Sequence, residues 1–295
     1  MSNDKVILLL DDGRAGHLHQ SAALAASLIK AQIRTSTDNY NSRTRIEPVS
    51  LAAAEALITL PPASLLIGCG RRAAACSLAL KKRFGSSVNS IQILNPVVSK
   101  RALEHNWDWL LIPMHDYLQG PNIINFLGSL VTTPPPLSRD NSRLVLLLGG
   151  ATDYLSWDES SLNNWLEQAQ QQSMPVTVCC SRRTPRAIVR RLRAWSMHAS
   201  DHSLVESDDA DGYRKALACA AEFWVSGDSI NMLAEACASD RPVRVLGAES
   251  ARGKLQDYIH QLNKRGRFEK NSVPIREAER VAIELIERGA LLGLE

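Results

Sequence analysis

Six short segments of the 295-residue chain combine glycine, arginine and acid–base side chains at spacings that suit anion binding and proton transfer. In Asp11-Asp-Gly-Arg-Ala-Gly-His-Leu-His-Gln20, Gly13 and Gly16 permit a tight turn, Arg14 lies between them, and His17 stands where it could act as a base. Backbone amides opening the next helix would favour an anion there. A structural turn with an exposed histidine has the same spacing. Gly68-Cys-Gly-Arg-Arg-Ala73 matches G-x-G-x-x-A formally. It follows a second apolar strand rather than the first, and the next strand ends in Asn95, without an acid to hold a ribose, so a dehydrogenase is rejected. What remains is a glycine turn presenting Arg71 and Arg72 to a carboxylate or phosphate. Pro113-Met-His-Asp-Tyr-Leu-Gln-Gly-Pro-Asn122 offers His115 and Asp116, with the carboxylate orienting the imidazole or acting itself.

The second half repeats the theme. Leu148-Gly-Gly-Ala-Thr-Asp153 carries Gly149 and Gly150, which open the backbone toward a ligand. In Ser181-Arg-Arg-Thr-Pro185, Thr184 reads as a helix N-cap and Pro185 as the first helical residue, so Arg182 and Arg183 would form a phosphate clamp with the helix dipole. Arg186, Arg190, Arg191 and Arg193 follow on a basic stripe, either a solvated face or one suited to an anionic membrane. Val225-Ser-Gly-Asp-Ser-Ile-Asn-Met-Leu-Ala-Glu235 turns a strand straight into a helix. Asp228 or Ser229 can cap it, and its free amides would meet a diphosphate. Glu235, seven residues beyond Asp228, lies about 10 Å further along nearly the same face, where a carboxylate can accept from ribose hydroxyls.

Such loops need a frame. Apolar runs at Val6 to Leu10, Leu65 to Ile67, Ile91 to Leu94, Leu110 to Ile112, Leu144 to Leu148, Val176 to Cys180, Phe223 to Val225 and Val243 to Leu246 alternate with helical patterns. Continuous hydrophobicity in strands that alternate with helices predicts two doubly wound parallel α/β domains, whose ligands bind beyond the strands' carboxyl ends. The proline-rich stretch Thr132 to Arg143 cannot continue a helix or a central strand, which divides the chain into domains 1–135 and 136–295. The last helix, from Pro274 to Leu292, could pack on its own domain or reach back to the first.

Hydrophobic residues make up 45% and charged residues 22%, enough to bury two cores and too apolar for disorder. A net charge of +3 is too mild to imply nucleic acid. The apolar run after Met1 to Lys5 stops at Asp11, too short for a signal peptide or a membrane span. Six cysteines without a CxxC pair or a framework read as buried, reduced thiols of a cytoplasmic protein. No His/Cys ligand spacing or strand-end D-x-D motif implies a metal.

Taken together, the ordered motifs resemble the elongated-mitochondria (ELM) fission proteins of plants and their bacterial relatives. They are Asp12-Gly-Arg-Ala-Gly-His17 with Gln20, Gly70-Arg-Arg72, His115-Asp116 with Gly120-Pro-Asn122, Gly149-Gly150, Ser181 to Pro185, and Asp228-Ser-Ile-Asn-Met232 with Glu235-Ala236 and Pro242-Val243. One departure is Ser226-Gly227, where a threonine-containing pair is commoner in the family. The resemblance implies a GT-B-like fold of two Rossmann-like domains facing a cleft, similar in layout to the N-acetylglucosaminyltransferase that forms lipid II. By that analogy the second domain takes a UDP- or other NDP-linked sugar through Gly149, Gly150, Ser181, Arg182, Arg183, Asp228, Ser229, Met232 and Glu235. The first takes an acceptor near Gly13, Arg14, Gly16, Arg71, Arg72 and Asn122, with His17 or Asp116, aided by His115, activating its hydroxyl. The expectation is a metal- and cofactor-independent glycosyltransferase acting on a lipid-linked or cell-envelope acceptor, cytoplasmic or peripheral on the inner face of the cytoplasmic membrane. The alternatives are a nucleotide-sugar epimerase, which would recruit His17, Asp116 and Asp153 as acids and bases, and a non-catalytic adaptor whose basic face at Arg190 and Arg193 binds a membrane or a partner while the cleft is unused.

Overall fold

The computed structural model describes residues 5–35, 44–56, 63–132, 142–269 and 271–289. They form two compact units, Met1–Val131 with Arg276–Glu295, and Thr132–Ile275. The second unit therefore ends at Ile275 rather than at the C-terminus. Of the proline-rich linker, residues 133–141 lie outside the described residues.

In the first unit, β1 (Lys5–Asp11), α1 (Ala15–Thr35), β2 (Thr44–Ser50), α2 (Leu51–Glu55), β3 (Leu65–Cys69), α3 (Gly70–Phe84), β4 (Asn89–Ile93), α4 (Lys100–Asn106), β5 (Trp109–Pro113) and β6 (Ile123–Phe126) build one parallel sheet of order β2-β1-β3-β4-β5-β6. Alternate residues of β1 serve opposite layers: Ile7 and Leu9 pack with Leu24 and Leu28 of α1, whereas Val6, Leu8 and Leu10 pack with Ala73, Cys76 and Leu80 of α3. Burial on both faces is what makes the strand continuously apolar. The chain's direction across the sheet reverses between β1 and β3, so the loops after these strands flank the crevice where doubly wound sheets bind ligands.

The second unit contains β7 (Arg143–Leu148), α5 (Glu159–Gln170), β8 (Val176–Cys180), α6 (Arg186–Ser196), β9 (His202–Val205), α7 (Ala210–Cys219), β10 (Ala220–Ser226), α8 (Ile230–Ala238), β11 (Val243–Leu246) and α9 (Gly253–Lys264). Its parallel sheet runs β11-β10-β7-β8-β9, which sets the reversal between β7 and β10. Leu144, Leu146 and Leu148 face Leu162 and Leu166 of α5 and Ile188 and Leu192 of α6. The fully buried Arg267 donates to the carbonyls of Ala236, Cys237, Ser239 and Arg241 and to Ser272 Oγ. A cation there satisfies the orphan carbonyls of α8 and complements its dipole, anchoring the helix that carries Glu235.

Helix α10 (Glu277–Glu287) returns to the first unit. Ala278, Val281, Ala282 and Leu285 join the core against α1. The buried Glu277 accepts from Leu127 N (2.9 Å), and Arg280 Nη2 donates to Asn125 O (2.6 Å). Backbone groups at the sheet edge beside β6 are thus satisfied by side chains rather than left as a template for another strand. Three strands, β2, β6 and β9, were not legible as apolar runs, and all three are sheet edges. The loop at Gly68 accordingly follows the third strand, not the second. All six cysteines are free and five are buried.

Candidate functional site

In the first unit the loop after β1 is shaped by its own aspartates. Asp11 Oδ1 accepts from Gly13 N (2.8 Å), with Gly13 at φ +80°. The buried Asp12 holds two groups, accepting from Arg14 N through Oδ1 (3.1 Å) and meeting His17 Nδ1 through Oδ2 (3.0 Å). A carboxylate only accepts, so Nδ1 carries the proton and Nε2 is left as a base. The first turn of α3, which follows β3 without an intervening loop, closes on this pair. Gly70, at φ +78°, lies so close that a Cβ would come within 2.5 Å of the imidazole, and Arg72 donates to Asp12 O (3.2 Å). Gln92 of β4 fixes that glycine by donating to Gly70 O (3.1 Å). An oriented histidine therefore stands at the reversal point of the sheet.

Several expected roles change. The His–Asp pair that forms is Asp12–His17; His115 Nε2 and Asp116 Oδ1 are 3.8 Å apart, too far for a hydrogen bond, so Asp116 does not orient that imidazole. Asn122 precedes β6 at the amino edge of the sheet, away from the loops at the carboxyl ends, and spends its amide on the carbonyls of Leu103 and Trp107 (both 3.0 Å). Gly16 is part of α1, not a turn glycine. Arg14 and Arg71 are exposed beside the His17 loops.

In the second unit Asp228 ties three segments together. Its buried carboxylate accepts from Gly150 N (2.8 Å) after β7, from Trp157 Nε1 (3.0 Å), and from Arg183 Nη2 (3.0 Å) after β8. Arg183 also donates to Gly150 O (2.8 Å). Asp228 is therefore no cap for α8; Ser229 occupies that position and makes no side-chain cap bond. Arg183 is bound internally rather than free to clamp a phosphate, while Arg182 is exposed and pairs with no described residue. The glycines have a second explanation: a Cβ on Gly149 would sit 1.8 Å from Asp228 Oδ2, and one on Gly150 2.1 Å from Arg183 O. The protein's own loops fill the space that was expected to admit a ligand. Thr184 is likewise a lock rather than a cap, since its hydroxyl donates to Leu148 O or Gly149 O and accepts from Ser181 N, and Pro185 takes the N-cap position of α6. Ser181 Oγ accepts from Arg183 N (3.1 Å). Met232 is buried.

Glu235 lies on α8, and its Oε2 accepts from the hydroxyl of Tyr213 on α7. Glu235 is half-buried, and burial pushes its pKa up to about 7 against the pull of the Tyr213 hydrogen bond. Its charge is felt by Cys179, whose thiol is pushed up by burial and by nearby Cys180, Asp209 and Glu235. Folded protein holds the Glu235 proton that unfolded chain releases near pH 4.5, so this group's contribution to stability is full below that pH and is lost as pH rises toward 7. Glu235→Gln, which keeps an acceptor for Tyr213, is expected to flatten that decline; identical slopes of urea midpoint against pH for both proteins would rule it out.

Asp12, Trp157, Tyr213 and Gln92 had no assigned role in the sequence. Asp12 stood inside a quoted motif, five residues before His17, and was the one discoverable from spacing. The others act across 22 to 71 residues of chain, where no local pattern points.

Two Rossmann-like units, each with its polar loops at the carboxyl ends of parallel strands, define a GT-B-type protein. The UDP-GlcNAc 2-epimerase from Methanocaldococcus jannaschii shares this fold at 12% identity, with a TM-score of 0.53 over 96% of this chain and 99% of that one. The chain belongs to the mitochondrial fission ELM1 family, whose model matches residues 15–289. An uncharacterised protein of Rickettsia prowazekii is 26% identical over 94% of this chain and 96% of its own length. The mitochondrial fission protein ELM1 of Arabidopsis thaliana is 22% identical over 68% of this chain, which spans 56% of the plant protein.

Proposed function

We propose that the chain is a glycosyltransferase that binds a nucleoside-diphosphate sugar in its second unit and passes the sugar to an acceptor hydroxyl activated in its first. The observation that carries the reading is the β7/β10 reversal point. There the amino end of α8, without a side-chain cap, would offer backbone amides to a diphosphate, Arg182, next in sequence to the locked Arg183, is a cation with no partner among the described residues, and Glu235 keeps Oε1 for a ribose hydroxyl. Asp228, Arg183 and Thr184 hold these loops in place and need not touch the ligand.

The transfer step asks three things of the chain. His17 Nε2 would take the proton of the acceptor hydroxyl as its oxygen attacks the anomeric carbon, and Asp12 would stabilise the imidazolium that forms. The bond from that carbon to the diphosphate breaks, and α8 amides with Arg182 would stabilise the charge on the leaving group. The acceptor is proposed to be lipid-linked or part of a glycolipid, reached by a protein peripheral to a membrane, since no described helix is long and apolar enough to cross one.

Thermal unfolding across UDP-, GDP-, CMP- and TDP-linked sugars tests the reading. One class is expected to stabilise the protein by about 2.7 kcal/mol at a hundred times its dissociation constant. Failure of the whole panel to shift the transition would sink it. Deuterium incorporation into the sugar in heavy water without acceptor would instead assign an epimerase.

A further inference from the structure

We infer that the loops after β4 and β5 form a docking surface for an anionic phospholipid bilayer. The inference deepens the lipid-linked acceptor reading and rests on it for its purpose, though not for its geometry. Four of the nine large hydrophobic side chains exposed among the described residues lie in these two loops: Val97 (61%), Val98 (40%), Met114 (36%) and Tyr117 (77%). Strands β4 and β5 are neighbours, and Leu94 N donates to Leu111 O (2.9 Å), so both loops leave the same edge of the sheet that carries His17. The remaining exposed apolar residues are scattered over both units.

The backbone is strained where the side chains point out. Of the four non-glycine residues at positive φ among the described residues, three are here, Leu94 (+67°), Val97 (+57°) and Tyr117 (+52°). A β-branched residue in the left-handed region is uncommon, and such strain persists where surrounding contacts impose it and function uses it. Asn95 Oδ1 accepts from Val97 N (2.8 Å) and fixes the bend, while Leu94 packs against the core. One apolar residue is thus turned in and the next turned out.

Charge names the partner. Exposed Lys100 and Arg101 follow Val98 after Ser99, and Arg14 in the loop after β1 and Arg71 and Arg72 in the first turn of α3 stand at the same edge, against the half-buried Asp116 and the partly buried Asp11, whose Oδ1 is engaged by Gly13. Apolar tips ringed by cations suit the acyl–headgroup boundary of an anionic leaflet. The arginine stripe of α6 is the weaker candidate, because Arg193 is held bidentately by Glu206 (2.5 and 2.6 Å) and Arg191 lies 3.7 Å from Glu159.

Co-sedimentation of the full chain with phosphatidylcholine vesicles, with and without phosphatidylglycerol, tests the surface. Binding to anionic vesicles that weakens with salt is expected, falling about tenfold in the double variant Val97→Asn with Tyr117→Asn. Asparagine tolerates positive φ, so the melting temperature of that variant should hold or rise, which separates lost docking from lost folding. Unchanged binding by the variant, absence of binding by the parent protein, or loss of binding on Arg186→Glu with Arg190→Glu instead would overturn the inference. Nucleotide-sugar thermal shifts on the same proteins report separately on the proposed donor site.

Discussion

Alanine at position 17 is expected to lower the rate of sugar transfer or donor turnover by about 10²- to 10⁴-fold, with nucleotide-sugar binding unchanged. Removing the imidazole removes a side chain at the first unit's reversal point that is oriented through a buried carboxylate. Asp12→Asn is the sharper test. An amide at that position can donate to Nδ1 and so favour the wrong tautomer, leaving Nε2 protonated and unable to accept. Its loss should approach that of His17→Ala although shape and volume are nearly kept. Gly70→Ala should also impair turnover, because a Cβ there overlaps the ring that must keep its place. Retention of full activity by both His17→Ala and Asp12→Asn would remove the base from the mechanism and leave Asp116 as the group to examine.

Asp228→Ala is expected to destabilise the second unit by about 2 to 4 kcal/mol, read from urea unfolding. The carboxylate is wholly buried and serves Gly150 N, Trp157 Nε1 and the Arg183 guanidinium at once. Truncation would strand the buried Gly150 amide and the half-buried Trp157 indole N–H, whereas the Arg183 side chain, 43% exposed, can turn to water. Arg183→Met in the Asp228→Ala background should add much less than it does alone, because the two residues share one network. A cost below about 1 kcal/mol for Asp228→Ala would mean that the loops are held by something else, and the description of the donor site as locked in advance would fail.

The second prediction turns on an acid whose work is invisible in one dimension, the first on one only five residues from its histidine. Asp228 looked like a helix cap because Asp before a helix satisfies first-turn amides. Tertiary structure gives it to a loop 78 residues away, since β7 and β10 become neighbours only when the sheet is wound. The paired glycines looked like an opening for a ligand for the same reason: glycine reports that something comes close, and only packing says whether it is substrate or protein.

By itself the sequence determined the parallel α/β class, the eight apolar strands, the family, and the loops that could hold function, because burial on both faces writes a continuous apolar run and a reversal point writes glycine beside arginine. Edge strands such as β2 are half-covered and left no such mark. The return of α10 to the first unit, the Asp12–His17 pair in place of His115–Asp116, and the Tyr213 partner of Glu235 were decided in three dimensions. Hydrogen bonds and ion pairs are set by which elements meet across the fold, and residue spacing constrains that only within a turn or two of helix.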